Sequence, residues 1–396
     1  MQEDPIVIVG AARTPMGGFQ GSLTPLSAPE LGGYAIQGAV EQAGVAPEDV
    51  QDLIMGLCLF AGVKQAPARQ AAHLAGIPWD AGATTISKMC GSAMKATMLA
   101  HDNILAGSHD IMVAGGMESM TNAPYILPKA RGGYRLGNGD TVRDHMFMDG
   151  LEDAYDEGRL MGTFAEDTAE HYQFTREAQD NYAIESLTRA KKAVEDGSFD
   201  DEVVPVNVRT RKGEMMVTSD EQPFNANIEK IPQLKPAFRK DGTVTPANSS
   251  SISDGAAALV LMKRSEAEKR GLTPKALIHA HSTHSQEPNW FTTAPIGAVK
   301  KVLEKTGWSK EEVDLYEVNE AFAVVAMAAM RELNIPHDKI NVHGGACALG
   351  HPVGASGARI VVTLMSALEK YDLNKGVASL CIGGGEATAV SIERLN

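Results

Sequence analysis

The chain has 396 residues, 43% apolar and 22% charged. That is ordinary globular usage; it excludes wholesale disorder and leaves room for two or three domains, or one fold used twice. Its 36 basic and 50 acidic residues give a net charge of −14, which argues against polyanion binding over the whole surface while allowing a local basic patch for phosphates. No apolar run approaches the ~20 residues a membrane helix needs. The acidic Met1–Pro5 leads straight into a strand-like Ile6–Val9, so no secretory signal or transit peptide is expected, and a cytoplasmic location free of membrane is.

The chain repeats itself. A helix ended by Gly44, a capped turn and a strand from Leu53 recur 263 residues later as a helix ended by Gly307, a turn and a strand from Leu315. Glu41, Gly44, Glu48 and Val50 meet identical partners in Glu304, Gly307, Glu311 and Val313. The same offset carries Gly91 onto Gly354, and Ala114–Glu118 falls on Ile382–Glu386 after a short length change. A last strand, Ala256–Leu261, resembles Ala387–Ile392. The economical reading is a duplicated α/β unit of largely parallel strands, its first copy interrupted by an insertion. The expected boundaries are 1–118 plus 249–271 for the first half, 119–248 for the inserted loop domain and 272–396 for the second half. Within the insertion, glycines (Gly132, Gly133, Gly137, Gly139) and the Pro-rich 223–246 stretch mark loops, and a helix is predicted from about Thr175 to Glu195. Lys129, Arg131, Arg135 and Arg143 make the loop locally basic, either as a solvated surface or as a phosphate or subunit contact.

Four cysteines, at 58, 90, 347 and 381, make no CxxC pair, so neither a disulfide scaffold nor a zinc site is expected. Each is a packing residue or a reactive thiol, and Cys58 and Cys347 read as packing. Cys90 falls at a strand-to-helix junction, where free amides and the helix dipole favour a thiolate. His351 is presented from the glycine-rich Asn341–Arg359 loop leading into a helix, a candidate base. This loop is neither a phosphate-binding Gly-Lys-Ser/Thr turn nor a GxGxxG turn. Cys381 closes a strand before Gly383-Gly384-Gly385. Asn319 stands before a predicted Ala321–Leu333 helix, as a cap or as a functional amide.

Taken together, Lys88–Ser92, Ala114–Ser119, Asn319–Phe322, Gly350–Gly357 and Cys381–Gly385 resemble, in order, the signature segments of the thiolase family, over essentially the full length. The resemblance implies two similar halves with mixed five-stranded sheets and an inserted loop domain. It implies Cys90 as the nucleophile that takes an acyl group from acyl-CoA, His351 as its base, and Cys381 as the second acid/base. His351 and a water on Asn319 would serve one oxyanion, and the N–H groups of Cys90 and Gly383 the other. Met161, Leu234, Phe238, Ser250 and Ala321 fall on family positions that contact pantetheine or adenine, and Phe291 sits on the pocket loop. Leu160, Phe224, Trp290, Phe291 and His343 depart from frequent family residues; these changes bear on CoA binding and chain length. The implied activity is acetyl-CoA C-acetyltransferase, with a degradative 3-ketoacyl-CoA thiolase as the alternative and a non-catalytic CoA or lipid carrier as a remote one. No metal and no bound cofactor are expected: coenzyme A is a substrate. A homotetramer is expected, without nucleic-acid partners. A ketoacyl synthase is disfavoured by Cys381, and a nicotinamide dehydrogenase by the missing GxGxxG.

Overall fold

The computed structural model describes residues 4–137, 141–211 and 213–395; Gly139 of the loop glycines lies outside them. The first half runs β1 (Ile6–Arg13), α1 (Ala28–Ala43), β2 (Asp52–Gly56), α2 (Pro67–Leu74), β3 (Gly82–Ile86), α3 (Ser92–Leu105) and β4 (Ile111–Ser119). After the inserted segment, with helices α4 (Met161–Tyr172) and α5 (Arg176–Glu195), the chain returns as β5 (Ser253–Lys263). The second half runs β6 (Ala276–Ser285), α6 (Ala294–Thr306), β7 (Leu315–Val318), α7 (Ala323–Leu333), α8 (Ser356–Lys370), β8 (Lys375–Ile382) and β9 (Glu386–Arg394).

Local chemistry sets these boundaries. Ser27 and Glu30 form a reciprocal capping box at the start of α1, and Gly44 ends it in the left-handed conformation (φ 66°). Gly307 ends α6 in the same way (φ 72°), with its N–H on Glu304 as that of Gly44 is on Glu41. Thr175 caps α5 by accepting from the Ala178 N–H.

The sheet order is β7-β8-β9-β6-β1-β5-β4-β2-β3. It reads the same from the middle outward. On one side β1 is antiparallel to β5, β5 is antiparallel to β4, and β4 and β2 continue in parallel to β3. On the other, β6 is antiparallel to β9, β9 to β8, and β8 is parallel to β7. The fifth position of this side is a single parallel bridge, Tyr316 to Ile340. The two halves join into one sheet through Val7–Leu277 and Ile8–Ala276.

Alternation along the strands separates three apolar layers. Val7 and Val9 face a core shared with α1 and α2. Ile6 and Ile8 face a central core shared with α3 and α8. The outer face of the second half packs against α6 and α7. α3 and α8 therefore lie between the sheet halves, packed on one another. Ser356 through Leu364 is buried without interruption, the mark of a helix covered on all sides. Both central helices begin at one cavity.

Candidate active site

Cys90 sits in the tight loop between β3 and α3. Met89 takes a left-handed backbone (φ 46°), a conformation that costs energy for a residue with a Cβ. Ser92 in the first turn of α3 holds this loop: its hydroxyl donates to the Met89 carbonyl at 2.6 Å and accepts the Lys88 N–H at 2.8 Å. A Cβ on Gly91 would stand 2.3 Å from Ile382 Cδ1, so glycine lets the end of β8 close onto the cysteine loop. That approach aims the Gly383 N–H at the Cys90 sulfur, beside the residue's own N–H. Enclosure outweighs both donors and pushes the thiol up to about 11, with Glu118 adding to the rise. The helix-terminus argument for a resting thiolate is thereby overruled: burial costs the charged form more than the amides return.

His351 is anchored by its backbone N–H, shared between Ser253 Oγ at 3.2 Å and the Ser251 carbonyl at 3.3 Å. Its Nδ1 lies 2.6 Å from Ser356 Oγ, whose hydroxyl donates to the Pro352 carbonyl at 2.9 Å. With that proton committed, Ser356 accepts from Nδ1–H, and the lone pair is left on Nε2. Burial, with the charge of Arg359 adding to it, depresses the imidazole to about 3. At neutral pH the site thus holds a neutral thiol and a neutral imidazole.

Asn319 Nδ2 approaches both ring nitrogens of His351 at 3.5 Å, and its Oδ1 accepts from Arg359 at 3.4 Å. It does not cap α7, whose N-cap residue is Phe322. Cys381 is fully buried near the end of β8, its thiol raised well above the usual range by burial and by the neighbouring Cys90.

Three of the predicted catalytic groups open onto a cavity of about 360 Å³, while Asn319 and Cys381 are buried behind its wall. Cys90, His351 and Gly383 line it, together with Met161, Phe238, Ser250, Phe291 and Ala321. Leu234 is half-buried and does not line it. Leu160 is on the wall; Phe224 is exposed away from it, and Trp290 turns its ring edge to His171. Phe291 is buried, braced edge-on against Phe164 with ring centroids 5.9 Å apart. His343 lies outside the cavity between Phe199 and Tyr371.

The family models for the thiolase N-terminal domain and the thiolase C-terminal domain match residues 6–265 and 272–394. The chain belongs to the thiolase family. It is 47% identical to an acetyl-CoA acetyltransferase of Cupriavidus necator, over 98% of this chain and 99% of the relative. It is 48% identical to a cytosolic acetyl-CoA acetyltransferase of Mus musculus, over 99% and 98%. The crystal structure of a Bacillus anthracis acetyl-CoA acetyltransferase superposes with a TM-score of 0.96 at 42% identity, covering 99% of each chain. A thiolase from Ascaris suum in complex with coenzyme A gives 0.93 at 42%, covering 99% of this chain and 100% of that one.

In this thiolase several supporting residues carry no local sequence signal. Ser356 and Arg359 lie one turn apart on α8 and reach His351 and Asn319. The buried Glu118 carboxylate accepts from the N–H groups of Cys58 (3.0 Å), Leu59 (3.2 Å) and Gly354 (2.8 Å). It thereby ties the loop after β2 to the His351 loop. Burial raises it to about 7 against those three donors. Its place in the repeated Ala114–Glu118 segment was the one available clue. The apolar wall of Phe147, Leu151, Ile252 and Val353 also went unforeseen. Cys58 packs beneath Cys90, its sulfur 3.6 Å from Ser92 Oγ, and the Cys347 N–H donates to Glu320.

Proposed function

We propose that this thiolase is an acetyl-CoA C-acetyltransferase, interconverting two acetyl-CoA with acetoacetyl-CoA and CoA. The observation that carries this reading is one apolar cavity with Cys90, His351 and the Gly383 amide on its wall and Cys381 beside Cys90. Relatives named for this activity match the chain over its whole length.

Nε2 of His351 takes the Cys90 proton as the sulfur attacks the acyl carbonyl, and Cys381 gives its own proton to the departing CoA thiolate. The N–H groups of Cys90 and Gly383, which point at the Cys90 sulfur, would hold the carbonyl oxygen of the resulting thioester. The Cys381 thiolate so formed removes a Cα proton from a second acetyl-CoA. The enolate oxygen is met by the Nε2–H of His351 and a water held by Asn319. Its carbon attacks the thioester, and Cys90 leaves and takes back the proton that His351 has held. A neutral base next to a neutral thiol suits this sequence, since no resting charge pair has to be broken. Coenzyme A enters as substrate, and the reaction uses no metal.

The apolar wall favours a second reading, a degradative 3-ketoacyl-CoA thiolase that takes longer chains. What supports the first reading is Phe291, a buried ring on the cavity wall braced on Phe164. Thiolysis rates across 3-ketoacyl-CoA chain lengths test this. A sharp preference for acetoacetyl-CoA is expected, and rates that hold or rise with length would transfer the assignment to the second reading. A cytoplasmic homotetramer is part of this proposal. It is supported by the exposed apolar residues of the inserted loop, among them Tyr125, Leu127 and Leu136.

A further inference from the structure

We propose that His101, Asp102 and His281 form a divalent transition-metal site that fastens α3 of the first half to β6 of the second. Asp102 Oδ1 lies 3.0 Å from His101 Nδ1 and 2.8 Å from His281 Nε2. The three ligand atoms all fall within 4.8 Å of one another. Bonds of about 2.0–2.1 Å at tetrahedral angles require ligand atoms about 3.3 Å apart, so an ion fits once both imidazole nitrogens move a few tenths of an ångström off the Asp102 oxygen and the two nitrogens, which lie within 4.8 Å of each other, close to that spacing.

The donor set selects the metal. Two imidazoles and one carboxylate suit zinc, cobalt, nickel or copper; magnesium and calcium prefer oxygen alone. His101 is buried and its Nε2 has no partner, so the ring is held through Nδ1, the nitrogen it presents to the site. The rings of His101 and His281 meet edge to face, centroids 5.0 Å apart. Asp102 is about half exposed (52%), which leaves a fourth position open to water. The nearby cation, Lys305, spends its ammonium on the His281 carbonyl at 2.8 Å. On binding, each ring carries its proton on the nitrogen away from the ion, which for His101 is the buried Nε2 without an acceptor, a cost that ligation has to exceed. None of the three residues lines the catalytic cavity, so the site would act on stability, through the helix whose first turn holds Cys90.

The test is isothermal titration of the chelator-stripped full-length protein with Co2+ and, separately, Zn2+, with melting temperature read alongside. One equivalent per chain and a raised melting temperature are expected. Binding should be weakened roughly hundredfold or more in both His281→Gln and Asp102→Asn, since loss of a mere supporting contact costs about 10–100-fold. Asp102→Asn changes an exposed side chain, so it reads out even if the buried histidine variant folds poorly. No binding would overturn the proposal. So would binding equal to wild type in Asp102→Asn, accompanied by a sulfur-to-cobalt charge-transfer band that places the ion on the thiols.

Discussion

Replacing Ser356 by alanine isolates how the imidazole is set as a base. The hydroxyl accepts from His351 Nδ1–H at 2.6 Å while donating to Pro352 at 2.9 Å, and it is fully buried. Its removal leaves a buried ring N–H and a carbonyl without this partner. An unmet buried group costs about 1–3 kcal/mol. It also frees the ring to take the other tautomer, with its proton on the nitrogen that should accept from Cys90. If that loss is felt in the transition state, turnover falls roughly 5- to 150-fold. Ser356 does not line the cavity, so KM for acetoacetyl-CoA should hold while kcat for thiolysis drops. The assay is steady-state thiolysis with free CoA, with a melting curve as the control for folding. A wild-type kcat would refute the tautomer argument; so would a loss carried mainly by KM.

Cys90→Ala should keep the fold and abolish acyl loading in radiolabelled acetyl-CoA trapping, while Cys381→Ser should load acyl groups and fail in condensation; equal loss of both steps in the latter would remove it as the second acid/base. Because the thiol is raised to about 11 and His351 lowered to about 3, alkylation by neutral iodoacetamide should keep rising past about pH 9. A plateau near neutrality would instead reveal a thiolate–imidazolium pair. The same depressed histidine stabilises the fold above its unfolded value of about 6.5, and that contribution is lost as pH falls towards 3; His351→Asn should flatten this part of the acid limb in chemical denaturation. Phe291→Ala, by opening the wall beside Phe164, should raise kcat/KM for longer 3-ketoacyl chains relative to acetoacetyl-CoA by roughly 10- to 100-fold, and an unchanged chain-length profile would show that this ring does not limit the pocket.

The duplication was legible because its punctuation is physical. Gly44 and Gly307 both need a left-handed backbone, and no other residue type serves as well at a helix end. Cys90 and His351 were legible for a related reason: small residues crowd a loop where one reactive side chain is presented. What stayed hidden depends on the tertiary arrangement. A serine at the start of a helix reads as an ordinary cap, and an arginine in its second turn reads as a solvent-facing charge. Ser356 and Arg359 are neither, because α8 is covered on every side. The charge state of Cys90 was misjudged from local cues, since a helix terminus acts over one turn whereas burial acts through everything around the sulfur. The cavity wall is drawn from the inserted segment and from both halves, and no local pattern announces which apolar residues will converge.

The two halves build one device twice and load it differently. In each, a loop runs into a central helix whose first-turn serine donates back to a carbonyl of that loop: Ser92 to Met89, Ser356 to Pro352. One loop delivers a sulfur and the other a nitrogen. Because α3 and α8 pack against each other within a common core, the spacing of sulfur and imidazole is set by that helix interface. The loops themselves need little rigidity of their own. Arg359 and Glu317, buried with 3.7 Å between their charged atoms, fit the same logic. Such a pair adds little net stability once its desolvation is counted, and burial has already raised Glu317 to about 8. What the arginine provides is an N–H for Asn319, whose amide faces the imidazole. The fold thus accepts a buried charge so that two groups from opposite halves meet at one acyl carbon.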